Sequence, residues 1–140
     1  MNAPLYTTEI LRLAASLPEP RELEREDGCA DVRSPTCGSR ISLTVQLDEH
    51  GRVAAISQKV QACAFGQASS ALMERHAAGR EHKDVADAMI ALSAWLAGER
   101  EDAGDWPGLI QLAPARTRPA RHPAILLPFR ALLAAIEAAR

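Results

Sequence analysis

Apolar and polar side chains alternate strictly along residues 40–48, the period of two expected for a β-strand with one buried face. The apolar members of this alternation are Ile41, Leu43, Val45 and Leu47. Residues 48–51, with the sequence Asp-Glu-His-Gly, predict a turn, and residues 52–60 are expected to return as a second strand. Pairing Leu47 with Arg52 sets a register with Leu43 opposite Ile56, in which the apolar residues of both strands share one face.

Four other segments carry apolar residues at helical spacing and therefore predict helices. They cover residues 4–17, residues 64–78, a segment that begins with Asp84 as its N-cap and ends at Gly98, and a final segment that ends at residue 140. A short strand is expected at about residues 30–33, after a charged, solvated connector over residues 19–31. A small antiparallel sheet of about three strands packed against several helices is an α+β architecture.

The segment before the final helix is less regular. Residues 109–112 are expected to form a short helical turn. Residues 114–121 are rich in arginine and proline and are expected to be irregular.

Length and composition narrow the class of protein. The 140 residues suit one domain, and 24% charged with 47% hydrophobic residues is typical of a globular rather than a disordered chain. The formal net charge of −2 argues against a nucleic-acid partner. No apolar run approaches the roughly 18–20 residues of a membrane span, and no secretory signal pattern is visible. We therefore expect a soluble, cytoplasmic protein with no membrane partner.

The cysteines supply the candidate chemistry. Three cysteines are too few for a disulfide framework and are interpreted as thiols. In the predicted register Ala62 lies opposite Cys37, which brings Cys37 near Cys63 because neighbouring strands lie about 4.8 Å apart. Cys63 also begins a predicted helix, whose N-terminus favours the thiolate form that ligates metals or carries sulfur. Two interpretations stay open, a metal-binding pair or a small buried Cys63 with an unrelated loop thiol at Cys37.

The residues around these cysteines resemble the U-type iron–sulfur cluster scaffold family, which includes the NifU N-terminal domain, the Isc scaffold and the Suf-type U protein. The resemblance is carried by Thr36-Cys37-Gly38 before the alternating strand, by the turn that ends in Gly51, and by Ala62-Cys63-Ala64-Phe65-Gly66-Gln67-Ala68-Ser69-Ser70-Ala71-Leu72. It extends from Tyr6 to Phe129-Arg130-Ala131-Leu132, so residues 1–140 are expected to form a single domain of this type.

The resemblance implies assembly of a cluster on three cysteine thiolates and an aspartate or a histidine. It also implies two kinds of partner, a cysteine desulfurase that delivers sulfur and recipient apoproteins. In the Suf-type branch, the same ligands bind zinc and the protein accepts persulfide sulfur.

The candidate ligands carried over by position are Cys37, Cys63 and His122. The aspartate of the family is replaced by Ser39, which removes a carboxylate ligand. The third cysteine corresponds to Ala124 when the Suf-type pattern is matched and to Pro123 when His122 is matched to the Isc-type histidine. At most three donors are therefore present, where a structural zinc or a cluster normally takes about four.

This count leaves two hypotheses for the function. The first is a non-enzymatic, scaffold-like protein that binds iron or an iron–sulfur cluster, or zinc as the alternative, through Cys37 and Cys63. The second is a diverged, metal-free member that acts as a protein-interaction module. The oligomeric state stays open.

The remaining candidate residues are interpreted as structural or solvated. Cys29 is a spare thiol that nothing in the spacing requires as a ligand. The others are the solvated or exposed histidines His50, His76 and His82, the packing residues Trp95 and Trp106, and the solvated cluster Arg116–Arg121.

Overall fold

The computed structural model describes residues 6–36 and 38–139, and it has the predicted α+β architecture. Three strands form one antiparallel sheet, against which the helices pack. The helices and strands, in chain order, are α1 (Thr8–Ala15), β1 (Gly28–Arg33), β2 (Arg40–Leu47), β3 (Val53–Gln61), α2 (Ala64–Arg75), α3 (His82–Leu96) and α4 (His122–Ala138). Within the two described ranges, no helix combines the length and the apolar character needed to cross a membrane.

The sheet has the order β1-β2-β3, and its register differs from the prediction by two residues. Leu43 pairs with Gln58 and Val45 with Ile56, rather than Leu43 with Ile56. A β-bulge between Gln46 and Leu47 of β2 offsets the two strands next to the turn. Because the shift is an even number of residues, the predicted faces are nevertheless correct.

The apolar face of the sheet is covered by helices. Ile41, Leu43 and Val45 are each at most 1% exposed and belong to a core that includes residues of α2, α3 and α4. Helix α4 approaches β1 so closely that a Cβ atom at Gly28 would lie 2.0 Å from the carbonyl oxygen of Ala135. Only glycine permits this contact, so the position of α4 on the sheet depends on residue 28.

The opposite face of the sheet is polar, and the connector between α1 and β1 crosses it. The Arg21 N–H donates to Ser57 Oγ at 2.8 Å, and the Arg25 N–H donates to Gln46 Oε1 at 3.3 Å. The predicted solvated connector is therefore exposed at most positions but is hydrogen-bonded to the sheet.

Several predicted boundaries need correction. Helix α1 begins after the N-cap Thr7, whose Oγ1 accepts the Ile10 N–H, rather than at residue 4, which lies outside the described residues. Asp84 is not the N-cap of α3. The N-cap is Glu81, and Asp84 accepts its N–H at 3.0 Å in a reciprocal capping box.

The prediction of an irregular segment over residues 114–121 was wrong. The chain forms 3₁₀ helices over Leu109–Thr117 and Pro119–Arg121, and the second leads directly into α4. The two short helices determine what lies beside the first residue of α4.

Candidate functional site

Cys63 is the N-cap residue of α2, at the point where β3 has ended. It is half-buried, it is a free cysteine, and its side chain makes no capping hydrogen bond to the first turn. The unpaired N–H groups of a first turn carry partial positive charge. A thiolate at this position would therefore be favoured by the helix, as the sequence predicted.

The connection between β1 and β2 lies at the same end of the sheet as Cys63. Arg33 pairs with Arg40 at the start of this connection, and Arg40 pairs in turn with Gln61 of β3, two residues before Cys63. The connection is closed by a hydrogen bond from the Ser34 N–H to the Ser39 carbonyl, at 2.9 Å.

Two predicted positions belong to this connection by sequence. Ser39 is only 4% exposed. Gly38 has a φ of +74°, a left-handed conformation that suits glycine. Cys37 lies outside the described residues, so its predicted approach to Cys63 stays a prediction.

The first turn of α4 packs against the first turn of α2. A Cβ atom at Gly66 would lie 3.3 Å from the Cβ of Ala124 and 2.7 Å from the Cβ of Ala62. The hydroxyl of Ser69, which is fully buried, donates to the carbonyl oxygen of Ile125 at 2.6 Å. The start of α4 is therefore held beside the helix that Cys63 caps.

His122 is the first residue of α4 and is half-buried. Its Nε2 lies 2.8 Å from the carbonyl oxygen of Ala115, in the first 3₁₀ helix. Since a carbonyl oxygen can only accept, Nε2 carries the proton and Nδ1 is the nitrogen that keeps a lone pair in the neutral ring. A backbone carbonyl that orients a histidine in this way is a common second-shell partner of metal-ligating histidines.

The donor set of the described residues falls short of four. Across residues 6–36 and 38–139, no group of three or more histidine, cysteine, aspartate or glutamate side chains is arranged to hold a metal ion. Ala124, which stands where the Suf-type pattern has the third cysteine, is 1% exposed and in contact with α2. The site therefore offers Cys63 and His122 from the described part of the chain, with Cys37 outside it.

Cys29 does not supply the missing thiol. It lies on the polar face of the sheet, exposed, with its Sγ 3.6 Å from Thr44 Oγ1. It is four residues before Arg33, which places it about 13 Å along the strand from the end where Cys63 lies.

The other residues singled out from the sequence have structural or surface positions. Trp95 and Trp106 are 0% and 3% exposed, so their prediction as packing residues is confirmed. His50 is exposed in the hairpin turn. His76 and His82 are only partly exposed, and His82 Nε2 lies 3.0 Å from Glu137 Oε1 of α4.

Arg116 is not part of a solvated cluster. Its Nε donates to the Trp95 carbonyl at 2.9 Å, its Nη2 donates to the Arg100 carbonyl at 3.2 Å, and its guanidinium lies 5.1 Å from the Trp95 ring centroid. Arg116 fastens the first 3₁₀ helix to α3. Alternating charge and proline in the sequence gave no signal for this anchoring role.

Comparisons with known proteins place the chain among related sequences and structures. Residues 5–94 match the family described as "NifU-like N terminal domain". The fold matches the N-terminal part of a nitrogen-fixing NifU-like protein from Brucella abortus with a TM-score of 0.86 and 29% identity, over 96% of this chain and 94% of that chain.

Two further solved structures share the fold. One is a putative iron–sulfur cluster assembly scaffold protein for the SUF system from Fervidobacterium islandicum AW-1, with a TM-score of 0.83 and 19% identity over 94% of this chain and 96% of that chain. The other is a hypothetical protein with a TM-score of 0.76 and 25% identity over 92% of this chain and 96% of that chain. No curated protein matches the sequence.

Proposed function

Because this chain belongs to the NifU-like N-terminal domain family, we propose that it acts in iron–sulfur cluster assembly as a scaffold-like protein. The observation that carries the proposal is Cys63 at the N-terminus of α2, beside the first turn of α4, in a chain of this family. The proteins with the same fold include one described as a cluster assembly scaffold for the SUF system, which supports the same role. The iron or cluster is the cargo of the protein.

The proposed ligands are Cys37, Cys63 and His122. The helix N-terminus favours Cys63 as a thiolate. Since the Nε2 of His122 donates to Ala115, a metal would bind at Nδ1. Three donors leave a fourth coordination position for sulfide, solvent or a group from a partner, and such an open site suits a protein that releases its cargo.

The proposed partners are a cysteine desulfurase and recipient apoproteins. In the transfer step, a thiolate of this chain attacks the terminal sulfur of the persulfide on the desulfurase. The sulfur–sulfur bond breaks, the desulfurase thiolate leaves, and the persulfide is then carried by this chain. The reaction centre of sulfur release belongs to the desulfurase, so this protein is not itself the enzyme. Zinc held by the same ligands is the variant of this proposal for a sulfur acceptor.

A second candidate function is a metal-free protein-interaction module. Ala124 favours it, because a buried methyl group in contact with α2 occupies the place of a family ligand. Such a protein keeps the fold without any contribution of a metal to its stability.

Elemental analysis distinguishes these candidates. The protein, purified without oxygen or chelator, is analysed for iron, zinc and acid-labile sulfide. Iron with matching sulfide supports the scaffold, and about one zinc per chain supports the sulfur acceptor. If neither metal is present and a cluster cannot be reconstituted, the metal-free module is the better description.

Variants of single cysteines test the site. Cys63→Ala should abolish metal binding, and Cys37→Ala should do the same. Cys29→Ser is the matched control, because it removes a thiol about 13 Å along the strand from that end of the sheet and should leave the metal content unchanged. Metal retained in the Cys63→Ala protein would rule out the proposed ligand.

A further inference from the structure

A cleft lined by basic side chains lies at the opposite end of α2 from Cys63. Its lining includes Arg52 next to the hairpin turn, Arg75 and His76 at the end of α2, and Arg80 in the loop before α3. The cleft has a volume of about 550 Å³. Neither the cysteines nor His122 belong to its lining, so it is separate from the site described above.

Two of the arginines are oriented by neutral acceptors. Arg52 Nη1 donates to the Gly79 carbonyl at 3.1 Å, and Arg75 Nη2 donates to Ser16 Oγ at 3.0 Å. A carbonyl or a hydroxyl fixes a guanidinium without cancelling its charge. Because a guanidinium has five N–H donors, one such bond leaves the others for a ligand.

Arg80 is held in a similar way. Its Nε donates to the His76 carbonyl at 3.1 Å, and its guanidinium lies over the Trp106 ring, 4.7 Å from the centroid. The positive charge of the cleft also acts on the His76 ring, since its pKa is lowered by burial and then by the charges of Arg75 and Arg80.

Two carboxylates near the cleft offset only part of this charge. Glu81 lies 3.7 Å from Arg52, longer than a direct hydrogen bond, and both side chains are nearly half exposed. Asp84 is the acidic residue of the lining, and its carboxylate accepts the Glu81 N–H at the start of α3. Three arginines against one lining carboxylate leave the cleft with an excess of positive charge.

We infer that this cleft binds an acidic segment of a protein partner, one that presents two or more carboxylates. Arginine forks pair with carboxylates in a bidentate manner, and several pre-oriented forks suit several carboxylates on one chain. Trp106 is buried beneath Arg80, so the cleft offers no open aromatic surface on which a base could stack. At about 1.5 Å per residue, the 12 residues of α2 separate this surface from Cys63 by about 18 Å. An acidic partner can therefore bind here while the Cys63 end is engaged.

Titration with a capped hexaglutamate peptide tests the inference. The ¹⁵N-labelled protein is titrated at low salt, and amide shifts are mapped onto the sequence. We expect shifts concentrated at residues 52 and 75–84, and a dissociation constant that rises several-fold when the salt is raised to 0.5 M. Arg75→Gln and Arg52→Gln should each weaken binding by about tenfold, whereas Arg75→Lys should retain part of the affinity.

The controls decide against the alternatives. Arg33→Gln removes the same charge at the other end of the sheet and should leave the peptide affinity unchanged. Equal weakening by Arg33→Gln, or no weakening by Arg75→Gln and Arg52→Gln in folded proteins, would overturn the inference. Binding of inorganic phosphate as tight as that of hexaglutamate would assign the cleft to a small anion instead. Binding of hexaglutamine with the same affinity would exclude charge as its basis. None of these outcomes depends on whether the Cys63 site holds a metal.

Discussion

Gly66 lies where the first turns of α2 and α4 touch, and its replacement by alanine should destabilise the protein. The new Cβ would lie 2.7 Å from the Cβ of Ala62 and 3.3 Å from that of Ala124. Carbon atoms in contact prefer about 3.5–4.0 Å, so Ala62 would have to retreat by about 1 Å. Overpacking of this kind costs about 1–3 kcal/mol, and the better helix propensity of alanine returns about 0.5–1 kcal/mol. The free energy of unfolding of Gly66→Ala should therefore fall by about 0.5–2 kcal/mol.

Urea denaturation followed by circular dichroism measures this difference. The sharpest control is the double variant Ala62→Gly with Gly66→Ala, because it removes the atom that lies 2.7 Å from the new methyl group. In a double-mutant cycle, the two substitutions should show a favourable coupling of about 1 kcal/mol. A Gly66→Ala protein that is as stable as the parent, together with zero coupling, would refute the packing of the two first turns described above.

Three further predictions concern other contacts. Gly28→Ala should lower the free energy of unfolding by about 3 kcal/mol or more, since its Cβ would meet the Ala135 carbonyl at 2.0 Å; an unchanged urea midpoint would contradict the close approach of α4. Burial raises the pKa of Glu74, whose carboxylate accepts from Gln58 Nε2, so the unfolded state loses this proton first and stability falls as the pH rises above about 4.5. Glu74→Gln should therefore gain stability over the parent between pH 4 and pH 7, and parallel urea midpoints at both pH values would argue against it. His122→Ala should lower the retained metal and cost about 1 kcal/mol through its lost hydrogen bond; an unchanged metal content would leave His122 a structural role alone.

The hairpin shows what a sequence pattern can and cannot specify. Alternation assigned Ile41, Leu43 and Val45 to the buried face correctly, because a side-chain period of two depends only on the local backbone. The register depends on where the turn closes. Here the Asp48 N–H donates to the Arg52 carbonyl, and the Asp48 carboxylate accepts the N–H groups of His50 and Arg52. These contacts and the adjacent bulge shift the ladder by two residues, which alternation cannot reveal.

The candidate site was partly predictable for the same reason. The N-terminal position of Cys63 follows from local features of the sequence, and the structure shows it as the N-cap of α2. The contact between His122 and Ala115 was missed, since it depends on a 3₁₀ helix in a segment rich in proline and arginine. Likewise, the contact of Ala124 with Gly66 is tertiary, between residues far apart in the sequence.

The length of α2 has a geometric consequence for any assembly that uses both of its ends. A helix advances by about 100° per residue, so the number of residues between Cys63 and Arg75 determines the angle between the two surfaces as well as their separation. A flexible linker would only raise the local concentration of one partner near the other. Here α2 is packed on several sides and cannot rotate, so two partners bound at its ends would meet at one fixed orientation. Insertion of a single residue in α2 would turn one surface away from the other by about 100°.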